Sequence, residues 1–574
     1  MTANAAVARM FERIADALEL RGETGFRVLA YRRAARVLLD EADDVAKLDR
    51  ENRLGELPGI GTALAAKIRE YLATGRMKKY DEAVAGLPEE LFALLDLQGL
   101  GPKTLKLLHE KLGVNNLADL KAALASGAAA ELPGMGPGKA ANLGRAVRLR
   151  ELAGERMLLD EARELAERAV GHLEALVRSG FCVPAGSYRR GRESIGDIDV
   201  LVATDDPARV IERFTSLPGV RQVLARGETK VSLVADGTGG PRQLDLRVVE
   251  PAAWGAALQY FTGSKDHNVR LRGIARRLGL KVSEYGVFRG RKRVAGRTEA
   301  EVYAAVGLPF IEPELREDSG EFEAAEAGRL PALVRLEDIR CDLHLHTTES
   351  DGAAGFEEML AACRARGYSH AAIADHSVSA GYAGGLDRDR LLRHCDRVDK
   401  WNAGERKPRL LKASEVDITP SGEMDFPDEV LARLDLVIAS IHQGFRHRAT
   451  ERLCAAIAHP LVHVIAHPSG RIIGRREGYA VDLDAVIACA ARHGKALEIN
   501  AFYGRLDLSD AWARKAKEAG VRIAVNTDAH AVADLDWMRY GVTTARRAWL
   551  EKADVINTLP PGRLVKLLRA MRGN

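Results

Sequence analysis

The chain has 574 residues, 46% apolar and 29% charged, with 85 lysines and arginines against 81 aspartates and glutamates. That length exceeds what one hydrophobic core supports, so three or four domains are expected, and the balance of apolar to charged residues excludes an intrinsically disordered chain. The net charge of +4 is too small to declare a nucleic-acid partner by itself, so any basic binding surface must be local.

The first stretch, MTANAAVARMFERIADALEL, has the apolar spacing of an amphipathic helix rather than of a secretory signal, and no apolar run approaches the roughly 20 residues that span a bilayer. A cytoplasmic protein is expected. Six cysteines (Cys182, Cys341, Cys363, Cys395, Cys454, Cys489) include no C-x-x-C pair. This spacing indicates neither a disulfide framework nor a thiolate zinc site and leaves them as apolar fillers.

Up to about residue 150 the pattern is helical, and three similar phrases interrupt it: LPGIGTALAAKI (57–68), LQGLGPKTLKLL (97–108) and LPGMGPGKAANL (132–143). Each carries glycines two apart (Gly59 and Gly61, Gly99 and Gly101, Gly134 and Gly136) and then a helix with small or basic residues in its first turn. Glycines permit a tight turn, and the unpaired N–H groups opening the next helix attract a phosphate, which is the logic of a helix-hairpin-helix. One such phrase is an ordinary connection between helices; three of them, with Lys103, Lys106 and Lys139 nearby, point to gripping a DNA backbone without reading its bases. A helical domain over 1–85 and a second, with two of the hairpins, over 86–150 are predicted. The segment FRVLAYRRAARVL (26–38), with the first hairpin and its Lys67, resembles the lyase domain of DNA polymerase beta. That resemblance implies a Schiff-base lysine at Lys67 with Tyr31 in its pocket, although Phe26, Gly55 and Ala63 replace basic positions of the animal enzymes.

After a long predicted helix (about 155–179) the texture changes to short strands. GDIDVLV places Asp197 and Asp199 two apart, so both carboxylates leave one face of a strand, roughly 7 Å apart. Carboxylates so placed repel unless cations sit between them, and magnesium, a hard ion shared with phosphates, is the expected one. Upstream, AGSYRRG offers a turn with Arg190 for a triphosphate, and downstream PRQLDLRVVE supplies Asp245 as a third carboxylate. A lone D-x-D is also compatible with a solvated strand edge, but three separate signals agree on one reaction.

In this order, GSYRRG, GDIDV, QLDLR, YFTGSKDHNVRLR and SEYGVF make residues 1 to about 317 resemble a family X DNA polymerase. The resemblance implies a nucleotidyltransferase palm (151–255) and a small thumb (256–317). Asp197, Asp199 and Asp245 would hold two magnesium ions, with Asp245 helping to deprotonate the primer 3′-hydroxyl. Ser187, Arg190 and Gly196 would contact the triphosphate, Tyr260, Phe261, Gly263 and Asn268 would line the nucleotide pocket, and Arg272 would monitor the template. Lys265 stands where the animal enzymes have an aspartate, and a cation there is expected to strengthen nucleotide binding.

Residues 318–336 turn to Glu, Ala and Gly and read as a linker. Beyond it, from 337 to 574, strands and helices alternate in the rhythm of a distorted (β/α) barrel, whose functional residues sit at the C-terminal ends of strands. CDLHLHTTESDG (341–352) alternates like a strand and puts His344 and His346 on one face, with Asp351 in the loop that follows. Later strand ends add His376, Glu415, His442, His467, Asp528 and His530, nine candidate ligands in all. A single histidine at a strand end is usually a hydrogen-bonded surface residue; nine converging on one mouth point to a cluster of two or three zinc, manganese or iron ions. Such a cluster binds phosphate, activates water near neutral pH and stabilises a leaving oxygen, the requirements of phosphoester hydrolysis. This third of the chain resembles the polymerase and histidinol phosphatase (PHP) domain, with Arg471 and Arg505 as candidate phosphate contacts and Asp375 behind His376.

Together these features are similar to the bacterial family X polymerases with a C-terminal PHP domain. They imply gap filling in base excision or end-joining repair, with a 3′–5′ exonuclease that also processes 3′ ends or cleaves abasic sites. Gapped or primer-template DNA and deoxynucleoside triphosphates are the expected partners, for a nucleoid-associated monomer. Three rivals are a small-molecule phosphatase, which needs neither hairpins nor palm, a template-independent nucleotidyltransferase, and a DNA-end scaffold in which only the phosphoesterase works.

Overall fold

The computed structural model describes residues 3–23, 25–40, 45–97, 100–152, 156–404, 406–445 and 447–572. Its contacts divide the chain into two compact units: Met1–Glu155 with Ala208–Leu246, and Arg156–Pro207 with Arg247–Asn574. No helix among the described residues is long and apolar enough to cross a membrane.

The first unit opens with helices Ala3–Leu20 and Phe26–Asp40, which bury Phe11, Ile14 and Leu18 against Val28, Tyr31 and Leu38. The three glycine phrases fold alike. In each, the apolar residue between the glycines (Ile60, Leu100, Met135) is buried and donates its N–H to the leucine three residues back (Leu57, Leu97, Leu132) at 3.0 Å. Gly59 and Gly134 take left-handed φ of +87° and +77°, which a side chain would oppose. The second glycine then starts a helix: Gly61 caps Thr62–Thr74, Gly101 caps Pro102–Leu112, and Gly136 opens Gly136–Leu152. Gly99 lies outside the described residues. In the remainder of this unit, strands Val220–Arg226 and Lys230–Gly237 pair antiparallel.

In the second unit, helix Leu159–Leu173 is shorter than the predicted 155–179 and buries Leu159, Ala162, Leu165, Ala166, Ala169 and Leu173 along one stripe. Strand Ile198–Ala203, which carries Asp199 of the D-x-D pair and begins just after Asp197, runs antiparallel to Cys182–Pro184. Helices Trp254–Thr262 and Lys265–Arg277 precede a three-stranded antiparallel sheet, Lys281–Ser283, Gly286–Arg289 and Lys292–Ala295. The stretch expected as a linker, 318–336, is folded. Glu321–Glu326 is a helix whose Phe322 and Ala325 join the same core as Leu271 and Tyr303, and Leu333 bridges to Glu551. Glutamate and alanine are strong helix formers, so the composition that reads as a spacer equally suits a short docked helix.

The C-terminal region is a barrel of parallel strands in sequence order: β1 (His370–Ile373), β2 (Arg409–Asp417), β3 (Leu436–Ser440), β4 (Val464–Ile465), β5 (Ala496–Asn500) and β6 (Ile523–Asn526). Apart from Arg409 and Lys412 of β2, their residues are buried, as a parallel sheet covered by helices requires. Closure falls to Leu345, which forms parallel bridges to Ile373 on one side and Ala529 on the other. The stretch 341–346 is thus a single bridge rather than the predicted strand. Side chains occupy its ladder positions: Asn526 Oδ1 accepts from the Leu343 N–H and Asp342 Oδ1 from the His344 N–H. At the strand starts the interior is filled by Cys341, Leu343, Ala372, Leu436 and Val464, packed on Leu564 and Leu568 of the last helix, Pro561–Met571. The apolar plug occupies one end of the barrel and leaves the strand ends for chemistry.

Candidate active sites

The nine ligand candidates of the barrel converge around Glu415. Its Oε2 lies 2.8 Å from His376 Nδ1, 3.4 Å from His344 Nε2 and 3.7 Å from His346 Nε2; Oε1 lies 3.1 Å from His467 Nε2 and 3.5 Å from His442 Nε2. Asp528 Oδ1 is 3.1 Å from His346 Nε2 and 3.7 Å from His344 Nε2. Asp351 faces His530 at 3.3 Å and His376 at 3.5 Å. Three overlapping groups have ligand atoms close enough to share one ion: His344, His346 and Asp528; His376, Glu415 and His442; His346, Asp351, His376 and His530.

Unsatisfied polar atoms show that these residues fit metal ions. His344 Nε2, both ring nitrogens of His346, His376 Nδ1, His467 Nδ1 and Glu415 Oε2 are buried without a hydrogen-bond partner among the described residues, which costs about 1–3 kcal/mol each unless something engages them. Burial alone would raise the carboxyl groups of Glu415 and Asp528, but the surrounding histidines hold both well below the carboxylate range. Burial and the neighbouring His376 push His346 down to about 4, so its imidazole stays neutral and its lone pair free. Two ligands also sit on strained backbone, His467 at φ +29° and Asp528 at φ +55°, a cost of about 1–3 kcal/mol each that is typical of functional positions.

Behind the ligands stand residues that orient them. Asp375 accepts from the N–H and hydroxyl of Thr347, both at 2.8 Å, and from Ser350 at 2.6 Å, fixing the loop that delivers Asp351. Asp417 Oδ1 contacts His442 Nδ1 at 3.0 Å, and Glu498 Oε1 contacts His344 Nδ1 at 2.9 Å. Sequence reasoning missed Asp417 and Glu498. The available signal was a carboxylate on the inward face of an otherwise apolar strand, in SEVDI and KALEINA. Arg505 lies half-buried in the turn after β5, whereas Arg471 gives its Nη2 to Glu193 at 2.8 Å and to the Leu506 carbonyl at 2.6 Å.

On the palm strand, Asp199 is backed by the GSYRRG loop. The Ala185 N–H donates to the Asp199 carbonyl at 2.8 Å, and a Cβ on Gly186, whose φ is +60°, would lie 2.2 Å from Asp199 Oδ2. Only glycine permits the loop to approach that carboxylate so closely. Ser187 sits in the short helix Gly186–Arg189, and Gly196 immediately precedes Asp197. Arg189 pairs through both terminal nitrogens with Glu299, which also binds the buried Arg316, so the loop is tied to the thumb. Asp245 belongs to the first unit, where Gln243 donates to it at 3.1 Å and Lys230 lies at 3.9 Å.

Tyr260 and Phe261 end helix Trp254–Thr262, and Gly263 turns the chain into the next helix. Asn268 locks this turn: its Nδ2 donates to the carbonyls of Tyr260 (2.7 Å) and Gly263 (3.0 Å), while Gln259 donates to its Oδ1. Exposed Lys265 occupies the first turn after the Ser264 cap, where the helix dipole disfavours a cation unless an anion visits. Arg272, one turn beyond Asn268, is exposed and donates to the Asn268 carbonyl at 3.2 Å. In the first unit, Lys67 points its ammonium at the Ala63 carbonyl of its own helix (2.9 Å), and Tyr31 packs its ring 5.5 Å from Phe11.

Comparisons with known proteins agree with this layout. Residues 2–77 match a helix-hairpin-helix domain, 92–148 a SAM-like helix-hairpin-helix tandem, 156–236 the DNA polymerase beta palm and 257–317 the DNA polymerase beta thumb. The chain is 39% identical over 556 residues, 96% of each chain, to the DNA polymerase/3′-5′ exonuclease PolX of Bacillus subtilis (strain 168). It is 28% identical over 345 residues to DNA polymerase lambda of Rattus norvegicus, 55% of this chain and 56% of that one. A probable phosphatase of Thermoanaerobacter sp. (strain X514) is 34% identical over 242 residues, 38% of this chain and 89% of its own length.

Proposed function

We propose that this chain, which belongs to the bacterial family X DNA polymerases with a C-terminal PHP domain, fills short gaps in DNA during repair with one site and trims 3′ ends with the other. The observation that carries this reading is the presence, on one chain, of a D-x-D strand backed by a glycine phosphate loop and of a barrel mouth with nine ligands and orphaned imidazole nitrogens.

For synthesis, Asp197, Asp199 and Asp245 are the proposed magnesium ligands; bound there, the ions would neutralise charge that builds up during phosphoryl transfer. Asp245 is also the proposed acceptor of the primer 3′-hydroxyl proton. Ser187, Arg190 and Gly196 hold the triphosphate, and the turn locked by Asn268 presents Tyr260, Phe261 and Gly263 to the sugar and base. Lys265 attracts the triphosphate to the helix start, Arg272 reads the template side, and the hairpin helices hold flanking phosphates through their first-turn N–H groups.

For degradation, the imidazole and carboxylate set suits two or three zinc, manganese or iron ions, which would supply Lewis acidity and water activation near neutral pH. The chain's own part is to hold the ligands rigid through Glu498, Asp417 and Asp375. Arg505 is proposed over Arg471 as the cation for the scissile phosphate, because Arg471 is engaged by Glu193. Abasic-site cleavage and 3′-phosphate removal are further proposed uses of this mouth.

The test is direct. Purified protein is incubated with a one-nucleotide gapped duplex, nucleotides and magnesium, and separately with manganese and no nucleotides. Extension in the first and 3′ shortening in the second are expected; shortening without extension would leave the scaffold reading.

A further inference from the structure

Helix Met538–Arg547 of the barrel and the GSYRRG loop belong to the same compact unit and touch. The approach is close enough that a Cβ on Gly191, at φ +66°, would fall 2.1 Å from Thr543 Cγ2. At the helix end, Arg547 Nη1 donates both to the Arg190 carbonyl at 2.9 Å and to Glu317 Oε1 at 3.1 Å. The same Glu317 oxygen accepts from Arg190 Nε at 3.0 Å, and Arg190 Nη1 donates to the Thr262 carbonyl at 2.7 Å. Asp510 holds the far side of Arg547, at 2.8 Å from Nε and 2.7 Å from Nη2. Arg192 is a looser third cation, 3.8 Å from Glu317.

We propose that Arg547, a residue of the barrel, is a positioning residue for nucleotide binding at the polymerase site: it fixes both the backbone and the side chain of Arg190. The proposal rests on the reading of Arg190 as a triphosphate contact.

Arg190 has its Nε and Nη1 committed, and its Nη2 makes no hydrogen bond among the described residues. Two committed nitrogens and one uncommitted nitrogen orient a guanidinium towards a third partner, as preorganised anion recognition requires. Without Arg547, Glu317 would face Arg190 and the distant Arg192 alone. With one of its two close cations gone, its negative charge would be less fully offset beside the incoming triphosphate, and the Arg190 carbonyl would lose its donor. Glu317 is only 19% exposed and Arg547 8%, so water replaces these partners poorly. Burial by itself would raise the Glu317 carboxyl, yet Arg190, Arg547 and Arg192 hold it below the usual range, in keeping with its ionised, shared state. An enzyme lacking the barrel would have to hold its triphosphate arginine by other means.

The test uses the full-length protein in single-nucleotide gap filling with nucleotide titration. Arg547→Ala is expected to raise the nucleotide KM about tenfold while kcat falls less than about threefold, the signature of weakened ground-state positioning. Glu317→Gln, on a different element, should act in the same direction. In an Arg190→Ala background, Arg547→Ala should add nothing, because it acts through Arg190. Exonuclease activity, measured on the same preparations, should stay at the wild-type level and reports that each variant is folded. If Arg190→Ala raises KM but Arg547→Ala and Glu317→Gln do not, the proposal is overturned and the triphosphate reading stands. It is likewise overturned if the Arg190 and Arg547 effects multiply in the double variant. If Arg190→Ala leaves KM unchanged, the triphosphate reading falls and this one with it.

Discussion

Glu498 braces two metal-ligand candidates at once: Oε1 lies 2.9 Å from His344 Nδ1, and Oε2 accepts the backbone N–H of His467 at 2.9 Å. Asn526 donates to the same Oε1, so the carboxylate itself cannot drift. Glu498→Gln keeps the shape but weakens the acceptor for His344, and it should lower affinity for the nuclease metal about 10–100-fold. Manganese titration of 3′ shortening measures this, with nucleotide insertion expected to stay at the wild-type rate.

Removing each site separately should divide the activities. His344→Ala should abolish 3′ shortening and spare gap filling, whereas the double change Asp197→Ala, Asp199→Ala should do the reverse. Chelation should stop both, with magnesium alone restoring extension. Loss of both activities in each variant would contradict two independent centres.

Gly186→Ala forces a methyl group into Asp199 Oδ2 on a left-handed backbone. Either the loop or the carboxylate must move by an ångström or more, and a displacement of that size can cost about 100-fold in rate. Gap filling should drop by at least that factor while exonuclease activity persists, a pattern that global unfolding would not give.

His463 gives the barrel an acid-labile support. It is fully buried, accepts from the Val437 N–H at 3.0 Å and lies 3.2 Å from Arg572 Nε; burial, Arg572 and Lys495 push it down to about 3. Its folded pKa lies below the unfolded value near 6.5, so the unfolded chain binds the proton more readily between those limits. The stability this provides is present above pH 6.5 and is lost as pH falls towards 3, by up to about 1.4 kcal/mol per unit. Denaturant midpoints of metal-free protein at pH 7, 6 and 5 should decline, and His463→Gln should flatten the slope. An unchanged slope in that variant would remove His463 as the cause.

Much of this was legible in the chain. Strand-end histidines and carboxylates are visible because the alternation of a (β/α) barrel fixes where strand ends fall; eight of the nine fall into the shared-ion groups and His467 joins them through Glu415. The hairpins were legible because glycine is the residue that their turns demand. Less visible was anything whose partner is far away in sequence. Glu498 and Asp417 look like ordinary strand residues until the histidines they orient are in place. The 318–336 stretch is dominated by Glu, Ala and Gly up to residue 328, and nothing local announces that Phe322 completes the thumb's core or that Glu321 meets His267 at 2.7 Å. Arg547 lies 357 residues from Arg190, a pairing that only the folded chain creates.

The single bridge at Leu345 ties the timing of the nuclease to chain synthesis. Leu345 meets Ile373 as soon as β1 exists, but its other partner, Ala529, and the ligand candidates Asp528 and His530 emerge from the ribosome more than 150 residues later. Seven of the nine ligands are therefore in hand long before the mouth can close, and the last two arrive together with the seam that shuts it. A nascent or truncated chain can possess a finished palm strand and no nuclease, so the degrading activity is born last and only on a barrel that has sealed.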